Sequence, residues 1–356
     1  MIINVQLRKH NLEKKGFYML AVVKDKKGPG FTLKEVEIPK PKDDEVLIKV
    51  KAVGICGTDL SIINGNKDIK IPMIPGHEFS GDIVEVGKKV KEFKVGDRVS
   101  AAIVISCGNC YYCRKGLETL CDNIIETGIH VNGAFAEYVA VNEKVLYKLP
   151  DGMTYEQGAS IDPIASAYHS IKKASIGSED VVIVFGPGPI GIYILQIAKV
   201  EGAKKAICVG LKRNERRLAL AKQLGADYIF NFDEILEEEI KRINDNELAD
   251  VAFVATGSPQ AFNAALNCVR KHGKIVLVGM FHELVTANIV DVVRREIQVE
   301  GSMCYSGIDF KECIDLVKLG RIKVESLITH TFRLAEISKA LEVINKGNAM
   351  KILLYP

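Results

Sequence analysis

Residues 180–191 read Asp-Val-Val-Ile-Val-Phe-Gly-Pro-Gly-Pro-Ile-Gly, an apolar run that passes directly into spaced glycines. A short, continuous apolar run is typical of a parallel strand that is buried on both faces. The glycines have the spacing G-x-G-x-x-G, and the apolar residues 192–198 that follow favour a helix. A strand, a tight glycine turn and a helix in this order indicate a dinucleotide-binding fold, with the pyrophosphate at the helix N-terminus.

The chain after this motif alternates between predicted strands and helices, as a doubly wound parallel sheet requires. Further strands are predicted over 206–209, 227–230, 250–257, 273–279 and 298–302, and an amphipathic helix over 218–225. Ligands of such sheets lie beyond the carboxyl ends of the strands. The predicted cofactor-binding residues are therefore Gly186, Gly188, Pro189, Ile190, Gly191, Thr256, Val278 and Gly279.

The end of the second predicted strand bears on the choice of cofactor. Folds that prefer NAD usually place an acidic residue there, which binds the ribose hydroxyls of the adenosine. This strand ends at Gly210, and Lys212 and Arg213 follow, so nothing repels a 2′-phosphate and two cations can pair with it. The sequence favours NADP over NAD, with Glu215 as an alternative source of the acid.

Two short stretches contain residue types that bind metals. Residues 54–59 read Gly-Ile-Cys-Gly-Thr-Asp, and residues 75–78 read Pro-Gly-His-Glu. The thiolate of Cys56 and an imidazole nitrogen of His77 are typical zinc ligands. A catalytic zinc keeps one coordination position open for water or substrate.

The neighbours of these two ligands indicate a reaction centre. Thr58 is close enough to Cys56 to exchange a proton with a group at the open position. Asp59 is suited to hold the far nitrogen of His77, as carboxylates beside metal-bound histidines commonly do. Glu78 adds a second carboxylate next to the imidazole.

A second metal site is predicted from four closely spaced cysteines. Cys107, Cys110, Cys113 and Cys121 form C-x2-C-x2-C-x7-C. Four thiolates close a tetrahedron around one zinc and leave no open position, so this site is predicted to be structural. A zinc-ribbon interaction module is the rival interpretation, but no basic cluster surrounds the cysteines, which argues against nucleic acid.

Length and composition limit the possible classes of protein. A chain of 356 residues has room for about two domains, and a hydrophobic content of 47% supports large cores. The net charge of +3 is too small to indicate a nucleic-acid partner. No apolar run spans a bilayer and no secretory signal is visible, so we expect a cytoplasmic protein without membrane contact. Nine cysteines in such a chain favour metal binding over disulfides.

The stretches 54–59 and 75–78 together resemble the medium-chain, zinc-dependent alcohol and polyol dehydrogenases, most closely the branch of sorbitol and threonine dehydrogenases. The resemblance runs from Met19 to the C-terminus. It implies a GroES-like, mostly β catalytic domain over 19–163 and 303–356, with a zinc lobe over about 104–123. A Rossmann domain over 164–302 would interrupt it, and residues 1–18 would be an extension without an assigned role.

The resemblance also implies a third ligand for the catalytic zinc. The family places a cysteine, or a glutamate followed by proline, where this chain has Asp162 and Pro163. Asp162 is one methylene shorter than glutamate, so the metal lies closer to this helix, a water bridges, or Glu78 takes a larger share. The other interpretation is an acidic residue that complements a helix dipole.

The implied activity is the reversible oxidation of a secondary alcohol on a polyol, a sugar or a sugar derivative, with Thr58 as the proton relay. Close relatives often carry a histidine three residues after that hydroxyl, where this chain has Ser61. The relay would then end in water, Ser61 or a cofactor hydroxyl. The family forms homodimers and homotetramers. The alternatives are a zinc-independent quinone or enone reductase, which would lack Cys56 and His77, and a non-catalytic NADP-binding zinc scaffold.

Overall fold

The computed structural model describes residues 3–6, 17–233, 236–347 and 349–356. The chain divides into two compact units. The first comprises residues 1–162, 306–318 and 324–356, and the second comprises residues 163–305 and 319–323. Of the predicted extension over 1–18, residues 1, 2 and 7–16 lie outside the described part.

The first unit consists mainly of antiparallel strands. Its strands are β1 (Ile3–Gln6), β2 (Tyr18–Val23), β3 (Phe31–Glu37), β4 (Glu45–Gly54), β5 (Glu78–Val86), β6 (Arg98–Ala101), β7 (Val104–Ile105), β8 (Ile125–Glu126), β9 (Tyr138–Asn142), β10 (Leu146–Lys148), β17 (Ile328–Arg333) and β18 (Lys351–Tyr355). Its helices are α1 (Gly57–Ile63), α2 (Tyr111–Arg114), α3 (Tyr155–Ala159), α10 (Gly307–Lys318) and α11 (Ile337–Asn345).

These strands form three sheets. The largest has the order β10-β6-β5-β4-β18-β17, and β9 also pairs with β4. A second sheet has the order β1-β3-β2, so residues 3–6 form a strand that runs parallel to β3. A small hairpin of β7 and β8 flanks the four clustered cysteines. Because β18 pairs with β4, the C-terminus of the chain belongs to the same sheet as residues 45–54.

The second unit is a parallel sheet with helices between its strands. Its strands are β11 (Val181–Phe185), β12 (Lys205–Gly210), β13 (Tyr228–Asn231), β14 (Ala249–Val254), β15 (Val269–Leu277) and β16 (Gln298–Gly301). Its helices are α4 (Ile161–Ala174), which begins at the end of the first unit, α5 (Pro189–Val200), α6 (Glu215–Gln223), α7 (Leu236–Ile243), α8 (Pro259–Cys268) and α9 (Ile289–Arg294).

The strand order β13-β12-β11-β14-β15-β16 is that of a doubly wound dinucleotide-binding sheet. All five residues of β11 are buried, as the apolar run at the start of the motif requires. The predicted fold class, a mostly β unit together with a doubly wound α/β unit, is confirmed. None of the described helices is both long and apolar enough to cross a bilayer.

The predicted helix after β12 begins earlier in the chain than predicted. The helix predicted over 218–225 begins at Glu215, directly after a single 3-10 turn at Lys212–Asn214. Residues 215–217 interrupt the apolar pattern but have good helix propensity, which a search for apolar periodicity does not register. The basic residues after β12 therefore occupy a tight turn and the first turn of α6.

Candidate metal centres and cofactor site

The two stretches that contain Cys56 and His77 lie side by side because β4 and β5 pair antiparallel. Gly54, the last residue of β4, is directly opposite Glu78, the first residue of β5. Cys56 follows β4 by two residues, and His77 immediately precedes β5. A Cβ on Gly54 would lie 2.4 Å from Oε2 of Glu78, so a larger residue there would displace that carboxylate.

The ligand atoms of Cys56, His77 and Glu78 all lie within 4.8 Å of one another. His77 and Glu78 are buried and Cys56 is partly buried. Sulfur, nitrogen and oxygen donors that converge at this range match the chemistry of a zinc site. These side chains therefore fit a zinc ion, although other metals share parts of this donor set.

Asp59 joins the two stretches. This carboxylate is fully buried, and it accepts hydrogen bonds from the backbone N–H of Cys56 at 2.9 Å and of Gly76 at 3.1 Å. Its Oδ1 lies 3.7 Å from Nδ1 of His77, a buried nitrogen that has no hydrogen-bond partner among the described residues. Burial raises the pKa of Asp59 although His77 opposes this. Asp59 thus lies beside the imidazole, and it also fixes the backbone on both sides of the site.

Glu78 is held by a lysine that sequence reasoning missed. Lys351 forms a buried ion pair with Glu78 and donates a hydrogen bond to the carbonyl of Ile55 at 3.2 Å. The two residues are 273 positions apart and meet because β18 pairs with β4. The sequence contains one indication of this contact. Lys351 directly precedes the apolar run Ile352-Leu353-Leu354, which predicts a buried strand and therefore a buried charge at its start.

Asp162, the second residue of α4, is buried near His77. Burial alone lowers the pKa of His77, but the negative charges of Asp59, Cys56 and Asp162 raise it well above its usual value. Among the described residues, Asp162 does not belong to the group whose ligand atoms all lie within 4.8 Å. A buried cluster with this excess of negative charge is an environment that stabilises a cation.

Thr58 and Ser61 lie three residues apart on α1, so their side chains share one face of the helix. Both are partly exposed, whereas Asp59 between them is buried. Both residues on this face are therefore partly accessible, and the carboxylate of Asp59 is enclosed.

The four clustered cysteines converge on one point. Their sulfur atoms lie within 4.8 Å of one another, with separations of 3.5 Å for Cys110–Cys113, 3.9 Å for Cys110–Cys121 and 4.0 Å for Cys107–Cys113. A tetrahedron with zinc–sulfur bonds of about 2.3 Å has sulfur–sulfur edges of about 3.8 Å. The thiol geometry therefore fits a zinc ion with four protein ligands.

The end of the first predicted strand and the glycine turn after it form one side of a cavity of about 670 Å³ in the second unit. Gly186 has a φ of +109°, and a Cβ on Gly191 would lie 2.0 Å from the carbonyl oxygen of Gly186. A Cβ on Gly188 would meet nothing within 4 Å, so its backbone faces open space at the N-terminus of α5. This arrangement fits a pyrophosphate.

The other predicted cofactor residues divide into two groups. The cavity is lined by Gly186, Gly188, Gly210, Arg213 and Thr256 among the predicted residues. The described lining does not include Pro189, Ile190, Gly191, Lys212, Val278 or Gly279.

Two further side chains at this cavity were missed. Arg217, in the first turns of α6, lines it beside Arg213, and burial lowers the pKa of Arg217. The acid in the lining is Asp233, which follows β13, whereas Glu215 is not among the described lining residues. Arg217 was hidden because the start of α6 was predicted three residues too late.

Comparison with known proteins adds independent findings. Residues 42–151 match the family model described as alcohol dehydrogenase GroES-like domain, and residues 189–318 match the model described as zinc-binding dehydrogenase. The chain is 37% identical over 337 residues to a D-arabitol-phosphate dehydrogenase of Enterococcus avium, which covers 92% of this chain and 96% of that protein. It is 36% identical over 342 residues to a sorbitol dehydrogenase of Halalkalibacterium halodurans. This match covers 95% of this chain and 99% of that protein.

Among solved structures, galactitol-1-phosphate dehydrogenase from Escherichia coli superposes with a TM-score of 0.88 at 32% identity. The match covers 95% of this chain and 100% of that one.

In the metal-free protein we expect iodoacetamide to alkylate Cys107 before Cys113 at pH 7. Hydrogen bonds from the backbone of Asn109 and Cys110 lower the pKa of Cys107 to about 6, whereas burial raises that of Cys113 to about 11. Cys107 is then mostly the reactive thiolate and Cys113 mostly the thiol. Peptide mass spectrometry over time measures both rates.

Cys208 is the control, since burial raises its pKa to about 12 and it should stay unmodified. Zinc should protect all four clustered cysteines. Equal rates at Cys107 and Cys113 would contradict this expectation.

Proposed function

Because the chain belongs to the zinc-dependent medium-chain alcohol and polyol dehydrogenases, we propose that its substrate is a secondary alcohol of a polyol, a sugar or a sugar derivative. The chain is an oxidoreductase that transfers a hydride between an alcohol and NAD(P). The observation that carries the proposal is the convergence of Cys56, His77 and Glu78, with the partly exposed Thr58 two residues from Cys56. Relatives named for arabitol phosphate and sorbitol support a polyol substrate.

For the catalytic zinc we propose Cys56, His77 and Asp162 as ligands. Glu78 lies within the closely spaced group, but its buried ion pair with Lys351 already balances its charge. Asp162 is buried and acts electrostatically on His77, so it supplies the third donor directly or through a water molecule. The four clustered cysteines would hold a second, structural zinc, which makes two per chain.

Residues of α1 transfer the proton that the reaction releases. Bound zinc supplies Lewis-acid polarisation of the alcohol oxygen, and the nicotinamide supplies the hydride acceptor. Thr58 accepts the hydroxyl proton of the substrate and passes it on, with Ser61 or water as the next acceptor on the same accessible face. Asp59 keeps Cys56 and His77 in place through the backbone bonds that it accepts.

For the cofactor we propose NADP. Gly210 leaves the end of β12 without an acid, and Arg213 and Arg217 line the cavity beside it. A pair of guanidinium groups suits a 2′-phosphate, because each presents a planar fork of donors.

We also infer that the chain forms a homodimer or homotetramer. In the described sheet of the second unit, β16 is an edge strand that pairs only with β15. Large apolar side chains before and within it are exposed, among them Met280, Leu284, Val293 and Val299. An edge strand with exposed apolar neighbours favours pairing with a second copy of the same chain.

The first test is nicotinamide reduction with polyols, sugars and small secondary alcohols, run with NAD and NADP in parallel. We expect reduction that is faster with NADP and is abolished by a chelator, together with two zinc ions per chain by elemental analysis. Activity that survives chelation would favour a zinc-independent reductase. One zinc per chain without alcohol-dependent reduction would favour a non-catalytic scaffold.

Thr58→Ala should lower kcat by about 10²- to 10⁴-fold, the usual contribution of a positioned acid–base group. Zinc content should remain at two per chain, since the hydroxyl is not a ligand. Thr58→Ser is the matched control, because it keeps the hydroxyl and should retain most of the turnover. An alanine variant with the turnover of the parent chain would exclude Thr58 from the relay.

Arg217→Ala and Arg213→Ala should each raise KM for NADP by about 10- to 100-fold, as expected for one lost charge-assisted hydrogen bond of about 1.5–3 kcal/mol. The KM for NAD should change little, because NAD has no 2′-phosphate. Lys212→Ala is the matched control, a neighbouring cation outside the described lining of the cavity. Equal effects on both cofactors would contradict the assignment of these arginines to the 2′-phosphate.

A further inference from the structure

Lys24 is a buried lysine that the proposed chemistry does not use. It is 3% exposed, and its ammonium group donates hydrogen bonds to the carbonyls of Gly28, Gly30 at 3.0 Å and Ile63 at 3.4 Å. The adjacent carboxylate of Asp25 is instead bonded to Thr32 and Lys34. Burial lowers the pKa of Lys24, although Asp25 opposes this. An apolar side chain of similar size would avoid this desolvation, and the three carbonyl bonds of the ammonium group offset its cost.

One partner of Lys24 connects it to the proposed zinc site. Ile63 is the last residue of α1, and Cys56 immediately precedes the first residue of that helix. The helix has only seven residues, a length at which tertiary contacts decide its stability and position. A cation at the C-terminal end of a helix binds its unpaired carbonyls and complements its dipole. Lys24 therefore anchors the end of α1 opposite to Cys56.

The backbone of Lys24 is connected to the other half of the site. Its N–H donates to the carbonyl of Met73 at 2.7 Å, and the N–H of Met73 donates to the carbonyl of Lys24 at 3.0 Å. Met73 precedes His77 by four residues. Lys24 is thus hydrogen-bonded both to the helix that follows Cys56 and to the segment that leads to His77.

The backbone packs closely beside Lys24. This packing leaves little room for water molecules in place of its ammonium group. A Cβ on Gly65, just after α1, would lie 2.6 Å from the carbonyl carbon of Gly28. The N–H of Gly30 also donates to the carbonyl of Ile63 at 2.8 Å. The turn at Gly28–Gly30 and the end of α1 therefore form one packed unit around the ammonium group.

We propose that Lys24 is a positioning residue for the catalytic zinc site. Its hydrogen bonds fix the position of α1, and hence of Cys56 and Thr58, relative to His77. This inference rests on the proposed function in one respect, namely that Cys56 and His77 hold a metal. Lys24 itself touches neither metal nor substrate.

The test is cobalt binding by the zinc-stripped full chain, followed by absorption spectroscopy. Cobalt at the four-thiolate site gives an intense thiolate-to-metal band, and cobalt beside Cys56 gives a weaker band from a single thiolate. In Lys24→Met we expect the apparent dissociation constant of the single-thiolate site to rise about tenfold, near the lower end of the effect of residues that orient ligands. The four-thiolate site serves as the control within the same sample.

Lys205→Met is the matched control variant. The ammonium group of Lys205 also donates to the carbonyl of the last residue of a helix, Ile243 of α7, but it lies in the second unit. We expect both cobalt sites of Lys205→Met to match the parent chain within twofold. Lys24→Gln, which keeps a shorter donor, is measured beside Lys24→Met and should show a smaller loss in the same direction.

The outcomes separate this inference from the proposed function. If the parent chain binds cobalt only at the four-thiolate site, the catalytic zinc site itself is wrong, and the role of Lys24 falls with it. If the parent chain shows both bands and the Lys24 variants bind cobalt as tightly, the zinc site stands and the positioning role of Lys24 is wrong. An equal loss at both sites, or in Lys205→Met as well, would overturn it by showing a general loss of stability.

Discussion

The antiparallel pairing of β4 with β5 is the constraint on which the candidate metal centre depends. It places Gly54 opposite Glu78, so that the residues just after one strand and just before the other converge. A shift of this register by one residue would move every side chain of β5 to the opposite face of the sheet. Asp59 stabilises the same arrangement from α1, because one carboxylate binds the backbone of both stretches. The strand register brings the stretches together, and the carboxylate fixes the distance between them.

The buried charges around this pairing follow from the same geometry. Cys56, Asp59, Glu78 and Asp162 contribute negative charge, and the pKa of both His77 and Lys351 is raised in response. A protonated imidazole is the form that balances these anions when no metal is bound. Metal ligands must give up their protons, so a zinc ion at this site would replace the proton on His77 and supply the positive charge itself.

Local motifs made much of the molecule predictable. The glycine motif after β11 predicted the dinucleotide-binding sheet, because a strand, a turn and a helix are adjacent in sequence. The sulfur atoms of the four cysteines lie close together, and their short spacing within fifteen residues makes this contact local. Lys351 could not be predicted in the same way, because it meets Glu78 through the pairing of the last strand with β4, and no short motif encodes a contact across 273 residues.

Arg217 and Lys24 were missed for different reasons. Arg217 lies in a first helical turn that consists of polar residues. The apolar periodicity that predicts helices is absent from this turn. Lys24 looks like one of many surface lysines in a basic stretch, Lys24-Asp25-Lys26-Lys27, and only its three carbonyl partners distinguish it. In each case the residue type was visible, but its surroundings depend on how distant segments pack.

The charge balance also bears on the proposal that Asp162 is a ligand of the catalytic zinc. A zinc ion with the thiolate of Cys56 and the carboxylate of Asp162 would be neutral overall, and the pair of Glu78 with Lys351 is neutral by itself. If Glu78 replaced Asp162 as the ligand, Lys351 would lose its partner while buried, and a buried unpaired ammonium is strongly destabilising. Zinc binding through the shorter Asp162 would therefore cost less free energy than an exchange to Glu78. A water molecule can span the missing methylene, but it cannot replace the buried counter-ion of Lys351.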